Sequence, residues 1–422
     1  MWGVIMRKKI GIIMAVILLF TSCGNIQNQP DKKKVITVCV DYLYEPAVSE
    51  LVNIWKKLRQ DVDVKLVIIP KEEAEIKISE LRTEIMSGGG PDVFILEGMP
   101  LLTEDIKNVL FLNPQKMMDS EVFLPLDHLI EQAQYMNPDI WNQKILESGK
   151  TEEGQLILPI CYEYYAYAFR TDDLDDSQHI PSSWEELLVC EEKPIIKETV
   201  SKVLMSYYSI FGELADYQNE ILFLSEEEFT KRIQEVILLR EKYWNMEGRE
   251  EIPEAMAAGR VDSDFFSALE REKGEHTIFA FPNIDGGITA TVNLYAAINR
   301  NTNQQEEAFS LLDLLFSEEI MCGKGVSVEG HIQGSNIMLQ MISNRGIPIH
   351  NDALQQLCGK ISEEDKTIVM GMGQQIQTVC YASDFIRELA DMYWECAAVR
   401  EEDKRREIIS QTYYTLQMNL AE

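Results

Sequence analysis

Residues Lys34–Val40, KVITVCV, are rich in β-branched side chains and bounded by Asp41, which predicts a strand. Behind it, Val48, Leu51, Val52, Trp55 and Leu58 recur at helical spacing, and Val62–Pro70 (VDVKLVIIP) reads as a second strand. Ala74, Ile78, Leu81 and Ile85 mark the inner face of a second helix. VFILEG, at 93–98, then forms a third strand whose unbroken apolar run suits burial on both faces. The βαβαβ order predicts an α/β fold with a parallel sheet and a ligand beyond the carboxyl ends of its strands.

Three glycines, Gly88–Gly90, precede that third strand. A phosphate loop needs the order strand, glycines, helix N-terminus, so that N–H groups and the helix dipole aim at the anion. Here the order is helix, glycines, strand, and no Gly-Lys-Ser/Thr follows. The triplet is therefore read as a helix C-cap and turn, with Pro91 blocking continuation.

Farther along, GQLILPICYEYYAYAFRTDDL (154–174) predicts a hairpin-type strand pair carrying Tyr162, Tyr164, Tyr165 and Tyr167. Ser183 before Trp184, Glu185 and Glu186 predicts a helix start, with Trp184 itself in the core. Residues 226–247 and 254–273 carry helical patterns. Thr277–Gly287 returns to a strand and then a turn, and ATVNLYAAINRNT (290–302) is another strand. Thr302 and Gln305 suggest a capping box for a helix that turns Ala308, Leu311, Leu312 and Leu315 inward. Asp384–Leu420 is helical with a break near Arg400–Asp403.

The N-terminus carries a different kind of signal. Arg7, Lys8 and Lys9 precede an apolar run, Ile10–Phe20, and then Thr21, Ser22 and Cys23. Eleven apolar residues are too few to span a bilayer but suit a secretion signal. A cysteine directly after small residues resembles a bacterial lipobox, with Phe20 a departure from the usual leucine. That resemblance implies cleavage before Cys23, acylation of its sulfur (palmitate) and tethering to the outer face of the cell membrane. Met6 offers a start that leaves a conventional signal length. Residues 1–22 are thus read as a lipoprotein signal peptide and 23–34, polar and poor in apolar residues, as a lipid-anchored linker.

The formal charge of −31 excludes nucleic acid as an expected partner, because polyanions are repelled. Seven cysteines besides Cys23 have irregular spacing and no CxxC pair, so neither a disulfide framework nor a zinc site is expected. The five histidines lack ligand spacing, and DDLDDS (172–177) lacks the glycine and glutamate of a calcium loop. No metal or cofactor is expected. No HExxH, GxSxG, Walker or GxGxxG pattern survives inspection, and carboxylate pairs carry little information in so acidic a chain. The chain is read as a non-enzyme.

The lipobox at 20–23 is followed in order by SGGGPDVFILEG, LPICYEYYAYAFR, PSSWEELL, FPNIDGG and INRNTNQQEEAFSLLDLLFSEE across about residues 35–320. Together they resemble an extracellular solute-binding protein, family 1, of the sugar-binding kind that serves ABC importers. The resemblance implies a two-lobed periplasmic-binding-protein-like α/β fold (type II), with discontinuous lobes joined by hinge strands. Residues 35–166 plus 296–345 would form the N-terminal lobe, and 167–295 plus 346–422 the C-terminal lobe. Crossings are expected near Ala166 and Asn293–Ala297, with GIPIHNDAL (346–354) returning the chain to the second lobe. A solute, expected to be a carbohydrate, would bind between the lobes, and a membrane permease would receive it. The anchored chain is expected to act as a monomer.

Sugars stack their C–H faces on aromatic rings while carboxylates and amides accept from their hydroxyls. Cleft positions are therefore expected at the strand ends, Asp41, Tyr42, Tyr44 and Glu97, and at the hinge, Tyr162, Glu163 and Tyr165. Strand alternation turns half of the hinge tyrosines to the core. The family resemblance adds Gly286, Gly287 and Tyr381. It also points to a departure: AAGRVDSDFFSAL (257–269) stands where the family usually has an Ala-Met strand ending in a cleft aromatic. The alternatives are the same fold binding a non-sugar solute or serving as a sensor, and a surface hydrolase.

Overall fold

The computed structural model describes residues 33–100, 103–174, 181, 183–189, 210–217, 219–244 and 257–421. The signal segment, Cys23, most of the linker and Cys190 lie outside the described residues. The strands that build the site are, in chain order, β1 (Lys34–Asp41), β2 (Val62–Ile69), β3 (Val93–Glu97), β4 (Ile157–Glu163) and β5 (Tyr165–Arg170), then β6 (Ala257–Arg260), β7 (His276–Ala280), β8 (Ile288–Ile298), β9 (Ile347–Pro348) and β10 (Ile376–Cys380). The principal helices are α1 (Glu45–Leu58), α2 (Ala74–Met86), α3 (Gln143–Glu147), α4 (Glu226–Trp244), α5 (Ser263–Arg271), α6 (Gln305–Leu315), α7 (Asn351–Leu357), α8 (Glu363–Gln374), α9 (Asp384–Ala398) and α10 (Glu402–Ala421).

Seven strands make the larger sheet, in the order β9-β4-β8-β3-β1-β2 with β10 also on β8, and β6-β5-β7 make the smaller one. β1 is parallel to β2 and β3, as the βαβαβ pattern requires. β8 runs antiparallel to both β3 and β4, so the sheet is mixed. All eleven residues of β8 are buried, which fits a strand with neighbours on both edges and cover on both faces.

Two apolar cores flank the smaller sheet. On β5, Ala166 and Ala168 join the core that packs on the larger sheet, while Tyr167 and Phe169 join a second core with α4, α9 and α10. This is the two-residue period of a strand with cover on both faces. Met99, Ile106 and Val109, just past β3, also belong to the second core. The segment after β3 therefore leaves the larger sheet and locks onto the helices of the other side.

The glycine triplet behaves as a turn. Gly88 (φ 82°) and Gly90 (φ 96°) take the left-handed conformation that ends α2, and the Asn299 side chain donates to the carbonyls of Gly89 and Pro91 at 2.9 Å each. Other expectations need correction. Residues 254–273 were expected as one helix, but 257–260 form β6, held by antiparallel pairing with β5, and the helix begins only at Ser263. The capping box at Thr302 does not form. Thr302 Oγ1 donates to Asp92 at 2.6 Å instead and accepts from the Gln304 N–H, and the first helical residue of α6 is Gln305.

The chain crosses between the sheets at Tyr164, close to the expected Ala166, but returns within 281–287, ahead of the expected 293–297. From residue 346 it first follows the larger sheet, with β9 on β4, α7 on β9 and β10 on β8, and α8 reaches β7 before α9 and α10 join the second core. Gly346 makes that pairing possible. Its φ is 146°, and a Cβ there would run into the Tyr162 carbonyl. Gly346→Ala is expected to lower stability by about 1–3 kcal/mol, the range for overpacking a tight site, in urea unfolding. A change under about 0.5 kcal/mol, the size of an ordinary surface substitution, would show that the contact is slack.

Candidate functional site

Asp41 ends β1 and Glu97 ends β3, so the two parallel strands deliver neighbouring carboxylates at their carboxyl ends. The Glu97 N–H donates to Asp41 Oδ2 at 2.6 Å. Burial pushes the Asp41 carboxyl up to about 6, against the pull of that N–H and of Arg345. Burial likewise raises Glu97 to about 7; Arg345 opposes this, while Asp41 and Asp105 add to it.

Arg345 is the centre of the cluster. Its Nη2 donates to Glu97 Oε1 and, at 2.7 Å, to the Met99 carbonyl. Asn293 on β8 donates to the Arg345 carbonyl and, at 2.6 Å, to Glu163 Oε2. Arg260, from β6 of the smaller sheet, stands 3.5 Å from Glu163 Oε2 and 3.9 Å from Asp262 Oδ2. Asp262 also accepts the N–H groups of Asp264 and Phe265, which caps α5. Burial raises the Glu163 carboxyl too, opposed by Arg260 and the Asn293 amide. Glu163 ends β4 at the crossing and so takes contacts from both sheets.

Three buried polar atoms in this cluster have no hydrogen-bond partner: Tyr44 Oη, Asn293 Oδ1 and Arg345 Nε. Their residues are 1%, 2% and 4% exposed. Each such atom costs about 1–3 kcal/mol. Three beside partly exposed carboxylates form an array that a hydroxylated solute would satisfy.

The structure thus brings Asp41, Tyr44, Glu97 and Glu163 together. Of the other expected positions, Tyr42 follows Asp41 and Tyr165 stands opposite Arg260, while the rest lie away from the cluster. Tyr42 is 44% exposed at the surface. Tyr162 is buried in the first core, where its hydroxyl accepts from Asn142 at 3.1 Å and its ring stacks on Tyr164. Tyr165 is only partly buried and sits opposite Arg260 in the smaller sheet. Gly286 and Gly287 close a turn in which the Asn283 side chain accepts the N–H groups of Asp285 and Gly287. Tyr381 packs edge-on against Tyr295 and shares a 3.0 Å hydroxyl contact with Ser148. Tyr381 and Ser148 line a cavity of about 340 Å³ between α3, β10, α9 and residues 211–217, a cavity that shares no residue with the Arg345 cluster.

Sequence reasoning missed Arg345, Asn293 and Arg260, and met Asp262 only as a departure from a family pattern. A signal existed for Asn293. A lone amide in the apolar run ITATVNLYAAI must find partners inside the sheet. Two of the described histidines have structural roles: His276 Nδ1 lies 2.8 Å from Asp365 Oδ2, joining β7 to α8, and His350 caps α7. Among the described residues, no group of three or more His, Cys, Asp or Glu is placed to hold a metal ion. The cysteines described are free thiols, all but Cys380 fully buried.

Residues 40–321 match the family model of the bacterial extracellular solute-binding proteins. The chain belongs to that family. No curated relative matches the sequence. Among solved structures, the chain is similar to an extracellular solute-binding protein family 1 from Alicyclobacillus acidocaldarius, with 14% identity, TM-score 0.56, and 93% of this chain and 100% of that one covered. A periplasmic oligogalacturonide binding protein from Yersinia enterocolitica superposes with 14% identity, TM-score 0.57, and 92% and 100% coverage. A cyclic alpha-maltosyl-1,6-maltose binding protein from Arthrobacter globiformis gives 12% identity, TM-score 0.54, and 92% and 100% coverage. These likenesses show the fold. It is the two-lobed α/β fold of periplasmic solute-binding proteins, and the Arg345 cluster lies where the two sheets meet.

Proposed function

We propose that this solute-binding protein is anchored to the outer face of the cell membrane through Cys23, captures a carbohydrate between its lobes and delivers it to an ABC importer. The observation that carries the reading is the cluster around Arg345. It is built from the ends of β1, β3 and β4 on one side and from β6 and the start of α5 on the other. A solute bridging those groups would hold the lobes closed, and rotation about the crossings at Tyr164 and 281–287 would release it. The chemistry is binding and conformational selection, with no covalent step. Carbohydrate is favoured because the carboxylates, amide and guanidinium suit hydroxyl groups, and because two of the structural relatives are named as binders of oligogalacturonide and of a cyclic maltose derivative.

The test is thermal denaturation of the full chain, purified in mild detergent, against a panel of mono- and oligosaccharides. A true ligand at about 100 times its Kd adds about 2.7 kcal/mol of stability, enough to shift the melting temperature visibly, and should be recovered unchanged. A panel with no stabilising sugar, or one that is hydrolysed, would sink the proposal. The anchor has its own test. Cells producing the chain should incorporate labelled palmitate, and Cys23→Ser should abolish the label and release the protein. Unchanged labelling in that variant would place the anchor elsewhere.

A further inference from the structure

We propose that the Arg345 cluster selects a solute carrying a protonated amine among its hydroxyl groups, an amino sugar in preference to a neutral one, with Asp41 as the partner of the amine. This rests on the cluster being the solute cleft. Four carboxylates (Asp41, Glu97, Glu163 and Asp262) meet two guanidiniums (Arg260 and Arg345). Three of the four have positive partners. Arg345 bonds Glu97, and Arg260 stands between Glu163 and Asp262. Asp41 is the exception: among the described residues no Lys, Arg or His nitrogen lies within ion-pair distance of it, and its hydrogen bond comes from the Glu97 N–H. The residue as a whole keeps part of its surface exposed.

The unpartnered atoms fit the same ligand. An ammonium group gives three N–H donors and offers no acceptor. Asn293 Oδ1 can only accept, Tyr44 Oη can accept, and both are more than nine-tenths buried in the cluster. Arg345 Nε, the third unpartnered atom, can only donate and so suits a hydroxyl oxygen of the same solute. A neutral sugar could satisfy the three orphans but would leave Asp41 without a counter-charge. The net charge of −31 favours the approach of a cation as well.

The groups facing Asp41 decide its pH response. They are Cys39 on its own strand, Tyr44 at the start of α1, Glu97 on β3, Tyr295 on β8 and Arg345 before β9. Burial pushes Cys39, Tyr44 and Tyr295 upward, which keeps them neutral near pH 7, and Arg345 stays charged. Among them only Asp41 and Glu97 titrate between pH 5 and 7.5, and the ligand amine is protonated more fully as pH falls, so a drop in affinity toward pH 5 follows Asp41 taking up its proton.

The test is calorimetric titration of the full chain with three β-1,4-linked disaccharides that differ only at C2: the glucosamine dimer, its N-acetylated form and cellobiose. Spermidine serves as a sugar-free amine. At pH 7.5 the glucosamine dimer is expected to bind about tenfold tighter than the other two, or more, since one charge-assisted contact is worth that much. The preference should shrink at pH 5 and vanish in Asp41→Asn, whose folding is checked by circular dichroism. If cellobiose binds as tightly as the glucosamine dimer, amine selection is overturned and the carbohydrate reading stands. If spermidine binds through Asp41 and no sugar does, amine selection stands and the carbohydrate reading falls. If none of the four binds, amine selection is overturned, and the wider sugar panel judges the parent reading separately.

Discussion

Arg345→Met is expected to cost about 1–3 kcal/mol of unfolding free energy at pH 7.5, the usual penalty for leaving a buried polar group without its partner. The side chain of Arg345 is 5% exposed, and it bonds Glu97 and the Met99 carbonyl together. Its loss strands Glu97, whose side chain keeps only 22% of its surface in water, and removes a charge that also stabilises ionised Glu163. Two further measurements separate this account from simple loss of packing. The double variant Arg345→Met with Glu97→Leu should recover much of the loss, because no lone charge then remains. The single variant's penalty should also shrink on acidification, since Glu97, raised to about 7 by burial, takes up a proton. A single-variant cost under about 1 kcal/mol, the value of an exposed pair, would show that water reaches the cluster freely.

Asp41→Asn is expected to do the reverse and stabilise the ligand-free protein at alkaline pH. Burial raises the folded-state value of Asp41 to about 6, above the ordinary aspartate range. The folded state therefore binds this proton more tightly than the unfolded state does. That contribution to stability is fully present below about pH 4 and is lost as pH rises through 6. At pH 8 the wild type carries the full cost of an ionised, poorly compensated carboxylate, about 2–3 kcal/mol at most. Asparagine keeps an acceptor for the Glu97 N–H and carries no charge. Urea unfolding of both proteins at pH 8 and pH 4 should show a gain for the variant at pH 8 and none at pH 4. A variant less stable than wild type at pH 8 would mean that Asp41 is already paired. The expected gain, set against loss of amine binding, would make Asp41 a residue kept for its ligand at the expense of the fold.

The parts of the fold that were legible share one property: their signal is local. The β1–α1–β2–α2–β3 run could be read from apolar period alone, as could the glycine turn before β3 and the break between α9 and α10. The errors have a common cause as well. Ala257–Arg260 has no β-branched residue and becomes a strand only because β5 offers an edge to pair with. Thr302 has the sequence of a cap, but Asp92, remote in the chain, competes successfully for its hydroxyl. Its place on the crossing strand suggests a ligand-facing ring for Tyr162, yet Asn142 holds its hydroxyl inside the core.

The candidate site divides in the same way. Position at a strand's carboxyl end is a local property, and it led to Asp41 and Glu97; the crossing strand led to Glu163. What joins them is not local. Arg345 lies 248 residues from Glu97, and Asn293 lies 130 residues from Glu163. Whether an arginine is a solvated surface charge or the hub of a buried network depends on the dielectric around it and on which carboxylates arrive there, and both are set by packing. Local apolar pattern was enough for β1 to β5, β7 and β8, for the turn chemistry, and for three of the four carboxylates by their place in an element. Packing alone brings Arg345 to Glu97 and Arg260 to Glu163 and Asp262, and leaves Asp41 with no cation within ion-pair distance among the described residues.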